Sequence, residues 1–340
     1  MRTGPDSREP GRAGILIGID GGGTRSRGRA VSPEGQVLGE AEGGPLNPFT
    51  TSVATFRQSL RGLVEALMGG LGSRCEIAAA VVGTAALFDR PDPARIPEWI
   101  GGILEEPRTR VVGDAVTALY GATGGRPGCL VIAGTGSLAA RLDADGGFRF
   151  HGGLGPVVQS DPGSALWMAA RALQLAQREE ATMGSAGSGA LGRTVCRHLD
   201  ADRVGAAVMT LYSAPDVARR LAGLSARLAA MTPRLPEWES IESAAGLALA
   251  DLVLPLLTGP LSSAPRTVHI TGSVLTGNPR VREALRAELA ARLERPVTLA
   301  APEGDAVDGA VGLARRALEE FHQSGTQASA VRTGLSLDPT

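Results

Sequence analysis

Lysine is absent from this 340-residue chain, and all 34 of its basic residues are arginine. A P-loop sets a lysine against the β- and γ-phosphates, protein kinases use a strand lysine, and Schiff-base chemistry needs a lysine amine. None of these can operate here. Charge of one sign is missing too. Thirty-five acidic residues leave a net charge of -1, too little to draw the chain toward nucleic acid or an anionic membrane. The three cysteines, Cys75, Cys129 and Cys196, lie far apart without a CxxC pair, so neither a zinc motif nor a disulfide framework is indicated. Long apolar runs are equally scarce. The longest, Ala244 to Leu257, contains Asp251 and Pro255 and is too short to span a bilayer. Met1 to Arg12 is polar and Pro/Gly-rich, unlike a secretory leader. These absences predict a soluble, cytoplasmic protein with no nucleic-acid or membrane partner.

What is abundant is glycine. Its 47 residues are roughly double ordinary usage, yet no collagen period or long Gly/Ser tract absorbs them. A GC-rich genome would account for arginine over lysine and for the overall glycine content. It does not account for placement: the glycines cluster between short apolar runs, where a backbone turns sharply or approaches a ligand.

Between polar tails at 1–13 and 323–340, strand-like and helix-like segments alternate. Gly14 to Asp20 reads as a buried strand, with Arg27–Val31 and Gln36–Ala41 following as antiparallel strands around the turn Ser32-Pro-Glu-Gly35. Val53–Leu71 has helical spacing, and Ile77–Val82, Arg110–Val112 and Cys129–Ala133 are further strands. The pattern then restarts. Ser137–Leu142 and Phe148–Phe150 flank a hairpin turn at Asp143–Gly147, and a long helical stretch runs from Ser164 to Leu257. Strand Thr267–Thr271, helix Arg280–Leu293, strand Val297–Ala300 and helix Ala306–Phe321 close the chain. Each half opens with a strand, a Gly-rich turn and a hairpin. This predicts two α/β lobes, 14–125 and 126–322, with a cleft between them.

Six stretches could carry chemistry. Asp20-Gly-Gly-Gly-Thr24 follows a strand; its backbone N–H groups and the Thr24 hydroxyl suit an anion, and Asp20 suits a Mg²⁺ held through water. An ordinary Gly-rich turn is the bland alternative. Gly134-Thr-Gly-Ser137, extended to Ala139, satisfies G-x-G-x-x-G/A. A dinucleotide site would need a helix next, whereas a strand-like hairpin follows, so a second phosphate-binding turn fits better. Asp114, at a strand end before a helix, could take the proton of an attacking hydroxyl or simply cap the helix. Asp161, in Ser160-Asp-Pro-Gly-Ser164, could hydrogen-bond sugar hydroxyls or act as a cap. Thr271-Gly-Ser-Val274 and Pro302-Glu-Gly-Asp-Ala306 are caps or, together, the frame of an adenine.

In this order the motifs resemble those of the sugar kinase, Hsp70 and actin superfamily. Within it the chain is similar to the N-acetylglucosamine kinase group, including the bacterial glucosamine kinases, which shares its fold with the benzoyl-CoA reductase activators. Ile19–Thr24, Ile132–Ser137, Ser160–Ser164 and Asp305–Ala310 carry the likeness, which covers about residues 14–320. It implies a two-lobed, actin-like (ribonuclease H-like) α/β ATPase fold with the nucleotide and sugar in the cleft. It further implies phosphorylation of an amino-sugar 6-hydroxyl by ATP with Mg²⁺, and a homodimer. Residue by residue, it implies Asp20 near Mg²⁺, and Gly22, Gly23, Thr24, Gly134, Thr135 and Gly136 on the phosphates. It also implies Gly272 and Ser273 at the adenosine, Asp114 as catalytic base, and Asn47, Asp114, Ser137 and Asp161 on the sugar. Eukaryote-like N-acetylglucosamine kinases read Gly-Asp-Glu-Gly-Ser where this chain has Ser160-Asp-Pro-Gly-Ser164. The change resembles the glucosamine kinase form and counts against recognition of an N-acetyl group.

A reductase-activator ATPase would hold an iron–sulfur cluster, for which the cysteines have the wrong spacing. A sugar-responsive repressor would need an N-terminal helix-turn-helix, and thirteen residues before the first strand leave no room for one. A non-catalytic binding relative would leave Asp20 and Asp114 without a purpose. Of the histidines, His151 could line the cleft, while His198, His269 and His322 read as structural.

Overall fold

The computed structural model describes residues 13–71, 75–85, 95–105, 108–155, 161–184, 189–258 and 267–323. The tails expected to be disordered therefore lie outside it, apart from Ala13 and Gln323. Described residues fall into two compact units, 13–126 with 303–323 and 127–302.

The first unit is built on strand β1 (Ala13–Gly21). Ile15, Leu16, Ile17 and Ile19 are all fully buried, as a β-branched run covered on both faces must be. β1 pairs antiparallel with β2 (Ser26–Val31), which pairs antiparallel with β3 (Val37–Gly43). On its other edge β1 pairs parallel with β4 (Cys75–Thr84), and β4 with β5 (Thr109–Gly113), giving the order β3-β2-β1-β4-β5. Helix α1 (Val53–Met68), capped by Ser52, buries Phe56, Leu60, Leu63 and Leu67 against the face carrying Ile15, Ile17 and Ile19. The short helix α2 (Ile96–Ile100) adds Trp99 and Ile100 to this core. It had no counterpart in the sequence reading, because one helical turn has no periodicity to detect.

Helix α3 (Asp114–Ala122) and the C-terminal helix, Ala306–Gln323, cover the opposite face. A methyl on Gly18 would lie 2.5 Å from the Val311 backbone nitrogen, and one on Gly309 would overlap the Thr117 carbonyl. Glycine is required at both because backbones meet there. This corrects the expected boundaries. The last helix, assigned from chain order to a lobe spanning 126–322, packs in the first unit.

The second unit repeats the plan. β6 (Gly128–Ala133) pairs antiparallel with β7 (Ser137–Leu142), β7 pairs with β8 (Phe148–Gly152), and β6 runs parallel to β9 (Thr267–Thr271). β10 (Thr298–Ala300) pairs parallel with β9, so the order β10-β9-β6-β7-β8 mirrors the first sheet. The stretch expected to be helical from Ser164 to Leu257 resolves into five helices: α4 (Ala165–Met183), α5 (Ala190–Leu199), α6 (Val204–Tyr212), α7 (Val217–Ala229) and α8 (Pro236–Leu257). Helices α9 (Ser273–Gly277) and α10 (Pro279–Leu293) follow β9, and the C-terminal helix is α11. α8 is long and apolar enough to cross a membrane by length and composition. Here Trp238, Ala245, Leu249, Ala250 and Val253 are buried in the unit's core, which accounts for its apolarity. A buried carboxylate, Glu242, accepts from Asn278 Nδ2 at 2.7 Å and pairs with Arg234, tying α8 to the start of α10.

Candidate active site

In the first unit the chemistry-bearing residues collect at one end of the sheet. Asp20 ends β1 and Asp114 follows β5, with β4 between them; Asp20 is level with Gly83, and Gly83 with Val112. That places the two carboxylates about two strand spacings apart, on the order of 10 Å. Asp114 opens α3 and is half-buried. Burial pushes its carboxyl up to about 6, the Ala115 N–H opposes this, and the negative charge of Asp20 adds to it. Gly113 is the N-cap of α3 and no side chain caps it; Asp114 is its first residue, so the expected capping role does not fall to Asp114.

The turn after β1 is more constrained than its glycines suggest. None of Gly21, Gly22 and Gly23 is among the positive-φ residues. Space is what requires glycine at Gly21, where a methyl would sit 2.6 Å from both the Gly83 carbonyl and Leu46 Cβ. The Gly22 N–H donates to the Arg25 carbonyl at 2.9 Å, closing the turn and putting Gly23 and Thr24 at its exposed tip. Of the expected phosphate donors in this turn, Gly22 is thus spent on the fold. Leu46 N donates to the Gly22 carbonyl at 3.0 Å, which brings Asn47 alongside. Asn47 is buried, its Oδ1 accepts the Phe49 N–H at 2.9 Å, and its Nδ2 faces Gly23.

The structure adds Arg27, which no motif contained. Directly across from Asp20 on β2, it donates through Nη2 to Asp20 Oδ2 at 3.2 Å and through Nη1 to Asp305 Oδ2 at 3.2 Å. Its signal was available only as register, since antiparallel pairing sets the two side chains on one face. Among the described residues no three His, Cys, Asp or Glu side chains converge as a metal-binding group. Asp20 alone, partly exposed at an open strand end, fits a hydrated Mg²⁺, which keeps most of its waters and needs only one or two carboxylates.

The second unit brings together the remaining residues. β6 and β9 are neighbours, so the turns that follow them are adjacent: Gly134 lies beside Gly272 and Ser273. Gly272 has a φ of +92° and no room for a side chain against the Ala133 carbonyl. Thr135 is the exposed tip of its turn, and the Gly134 N–H is held by the Gly136 carbonyl at 2.9 Å. The carbonyl of Gly134 in turn accepts from Ala165 N at the start of α4. Asp161 is buried against Gly136, accepts from the Gly155 N–H at 3.3 Å, and has its pKa raised by desolvation. Ser137 donates to the Pro162 carbonyl at 2.8 Å, which fixes the turn carrying Asp161. Ser160 lies outside the described residues.

Asp305 is a helix cap: its Oδ1 accepts from Val307 N and Asp308 N, and Asp308 returns a bond to Asp305 N. It belongs to the first unit, and the Gly272 turn to the second. His151 Nδ1 hydrogen-bonds the Leu252 carbonyl at 2.7 Å, and His198 and His269 likewise meet backbone carbonyls. The His322 side chain lies outside the described residues.

A sequence profile of the BadF/BadG/BcrA/BcrD ATPase family matches residues 17–314. The chain belongs to this family. This BadF/BadG/BcrA/BcrD ATPase is 31% identical to the N-acetylmuramic acid/N-acetylglucosamine kinase of Clostridium acetobutylicum over 162 residues, 47% of this chain and 53% of that protein. It is 30% identical to a glucosamine kinase of Vibrio cholerae over 161 residues, 46% of this chain and 53% of that one. The chain thus spans about half the length of the curated relatives it matches. Among solved structures, a Chromobacterium violaceum protein provisionally designated an N-acetylglucosamine kinase matches at 28% identity and a TM-score of 0.69, over 88% of this chain and 98% of that one. One of the same designation from Porphyromonas gingivalis matches at 20% identity and a TM-score of 0.58, over 88% and 99%, a likeness of fold. The actin-like, ribonuclease H-like fold expected from the sequence is the fold of this BadF/BadG/BcrA/BcrD ATPase.

Proposed function

We propose that this chain is an ATP-dependent kinase that transfers the γ-phosphoryl group to the 6-hydroxyl of glucosamine or N-acetylglucosamine. The observation that carries the reading is Asp114: a half-buried carboxylate just past a strand end, raised to about 6, at the same end of the sheet as the partly exposed Asp20. A base with a pKa near the working pH combines the correct protonation state with useful proton affinity. In the step proposed, the sugar oxygen attacks the γ-phosphorus, the bond to the β–γ bridging oxygen breaks, and ADP departs. Asp114 accepts the hydroxyl proton.

When bound, Mg²⁺ would neutralise charge on the β- and γ-phosphates, and Asp20 would hold it through water. With no lysine in the chain, the remaining protein donors to the phosphates are the backbone around Gly23, Thr135 and Gly136, and the Thr24 hydroxyl. Gly272 and Ser273 form the turn for the adenosine, beside the Gly134 turn. Asn47 presents an amide donor and Asp161 a carboxylate to sugar hydroxyls, with Ser137 supporting Asp161. The relatives named for glucosamine and N-acetylmuramic acid or N-acetylglucosamine support an amino sugar. The homodimer implied by the sequence resemblance, and the cytoplasmic location expected from composition, are part of the same reading.

The test is ADP release, measured with glucosamine, N-acetylglucosamine, N-acetylmuramic acid and glucose. Turnover is expected with an amino sugar, and NMR of the product should place the phosphate at the 6-position. No release with any of the four would instead favour a non-catalytic binding protein.

A further inference from the structure

Asp20, Arg27 and Asp305 form a chain of charge confined to the first unit. The Asp305 carboxylate is fully used: Oδ1 caps α11, and Oδ2 takes one arm of the Arg27 guanidinium. The other arm takes Asp20 Oδ2. Two residues along β2, Arg29 repeats the motif, pairing with Asp308 of α11 and with Glu40 of β3. One arginine, Arg29, therefore already fastens β2 to α11. Arg27 does something Arg29 does not: it spends half its guanidinium on the carboxylate placed nearest the proposed metal. No other cation is paired with Asp20 among the described residues.

We propose that Arg27 is an internal counter-ion for Asp20, a positioning residue that competes with the divalent cation for this carboxylate. Bound to Arg27, Asp20 has one oxygen occupied and its charge offset, so the protein without nucleotide holds metal weakly. Once MgATP arrives, the metal's own charge and the phosphate contacts outweigh the exposed ion pair, which is worth little by itself. Arg27 then remains attached to Asp305. The inference rests on the reading that Asp20 faces the metal.

The test is binding of Mn²⁺ alone to the nucleotide-free protein, followed by electron paramagnetic resonance, beside the Mg²⁺ dependence of turnover. Arg27→Gln is expected to bind Mn²⁺ roughly 3- to 10-fold more tightly than wild type and to reach half-maximal activity at correspondingly lower free Mg²⁺, in line with the loss of one competing charge. Arg27→Lys, which keeps the charge, should restore wild-type affinity. Asp305→Asn, which retains the cap oxygen, should leave Mn²⁺ binding unchanged and so separates a metal effect from loosening of α11. Unaltered Mn²⁺ affinity in Arg27→Gln, or the same gain in Asp305→Asn, would overturn the proposal. If Asp20→Asn still bound Mn²⁺ like wild type, the placement of Asp20 at the metal would fall, and this inference with it. The outcome of ADP release for Asp114 variants is independent of all these titrations.

Discussion

The carboxylate of Asp161 lies so close to Gly136 that a methyl there would stand 2.7 Å from Oδ2. A residue of the second Gly-rich turn and a proposed sugar ligand are thereby one packed unit. Gly136→Ala is expected to push Asp161 out of place while changing nothing chemical. A rise of roughly tenfold or more in the KM for sugar, with a smaller change in the KM for ATP, is the predicted signature. Equal changes in both would assign the turn to phosphate alone.

Asp114 makes two predictions with opposite signs. As a base it must be ionised, so activity should fall as pH drops through about 6. Asp114→Asn should lower kcat by roughly 10²- to 10⁴-fold while ATP still binds. For stability the direction reverses. Burial raises the folded-state pKa above the ordinary 3.8, so between 3.8 and about 6 the folded chain holds a proton that the unfolded chain releases. Stability is therefore lost as pH rises through that window, by on the order of 3 kcal/mol. Asp114→Asn should melt at a higher temperature than wild type at pH 7 and at the same temperature near pH 3.5. A variant that is both active and no more stable would show that Asp114 is not the base.

The first Gly-rich turn should separate into structural and ligand-facing positions. Gly21→Ala meets backbone and Leu46, and overpacking of that kind costs about 1–3 kcal/mol. Gly23→Ala has only the Asn47 amide at 3.8 Å, so it should melt like wild type and yet show a raised KM for ATP. If Gly23→Ala binds ATP normally, the exposed tip is not a phosphate site.

Glu242 is fully buried and held by Arg234 and Asn278. Glu242→Gln is expected to destabilise the second unit by about 1–3 kcal/mol, since it weakens charge-assisted hydrogen bonds at a buried carboxylate while its partner arginines stay partly exposed to water. The loss should appear in denaturant midpoints, with ADP release unaffected in the fraction that stays folded.

Much of this was legible before any coordinates. β1 is a β-branched run ending in glycines, as its sequence reads; the caps Ser52, Ser164 and Asn278 are seen only in the structure, where Ser164 takes the place expected for Asp161. The strand–turn–hairpin repeat showed two similar halves. Asp20, Asp114, Gly134, Asp161 and Gly272 stood out as candidates because turns at strand ends have a strong local vocabulary of Gly and Asp, whereas Asn47 came only from the family resemblance.

Other features had no local signal. Nothing near Gly22 in sequence says that its N–H is consumed by the Arg25 carbonyl, and nothing near Arg27 points to Asp305, 278 residues away. The sequence alone determined most of the strands, the longer helical stretches and the order of the motifs, because propensity and hydrophobic period act over a few residues. Only the tertiary structure decided that α11 returns to the first sheet, where Gly18 and Gly309 let it approach, and that Asp114 is buried enough to be raised to about 6. Those outcomes depend on which backbones touch and which charges lose water, and both are settled by packing between distant parts of the chain.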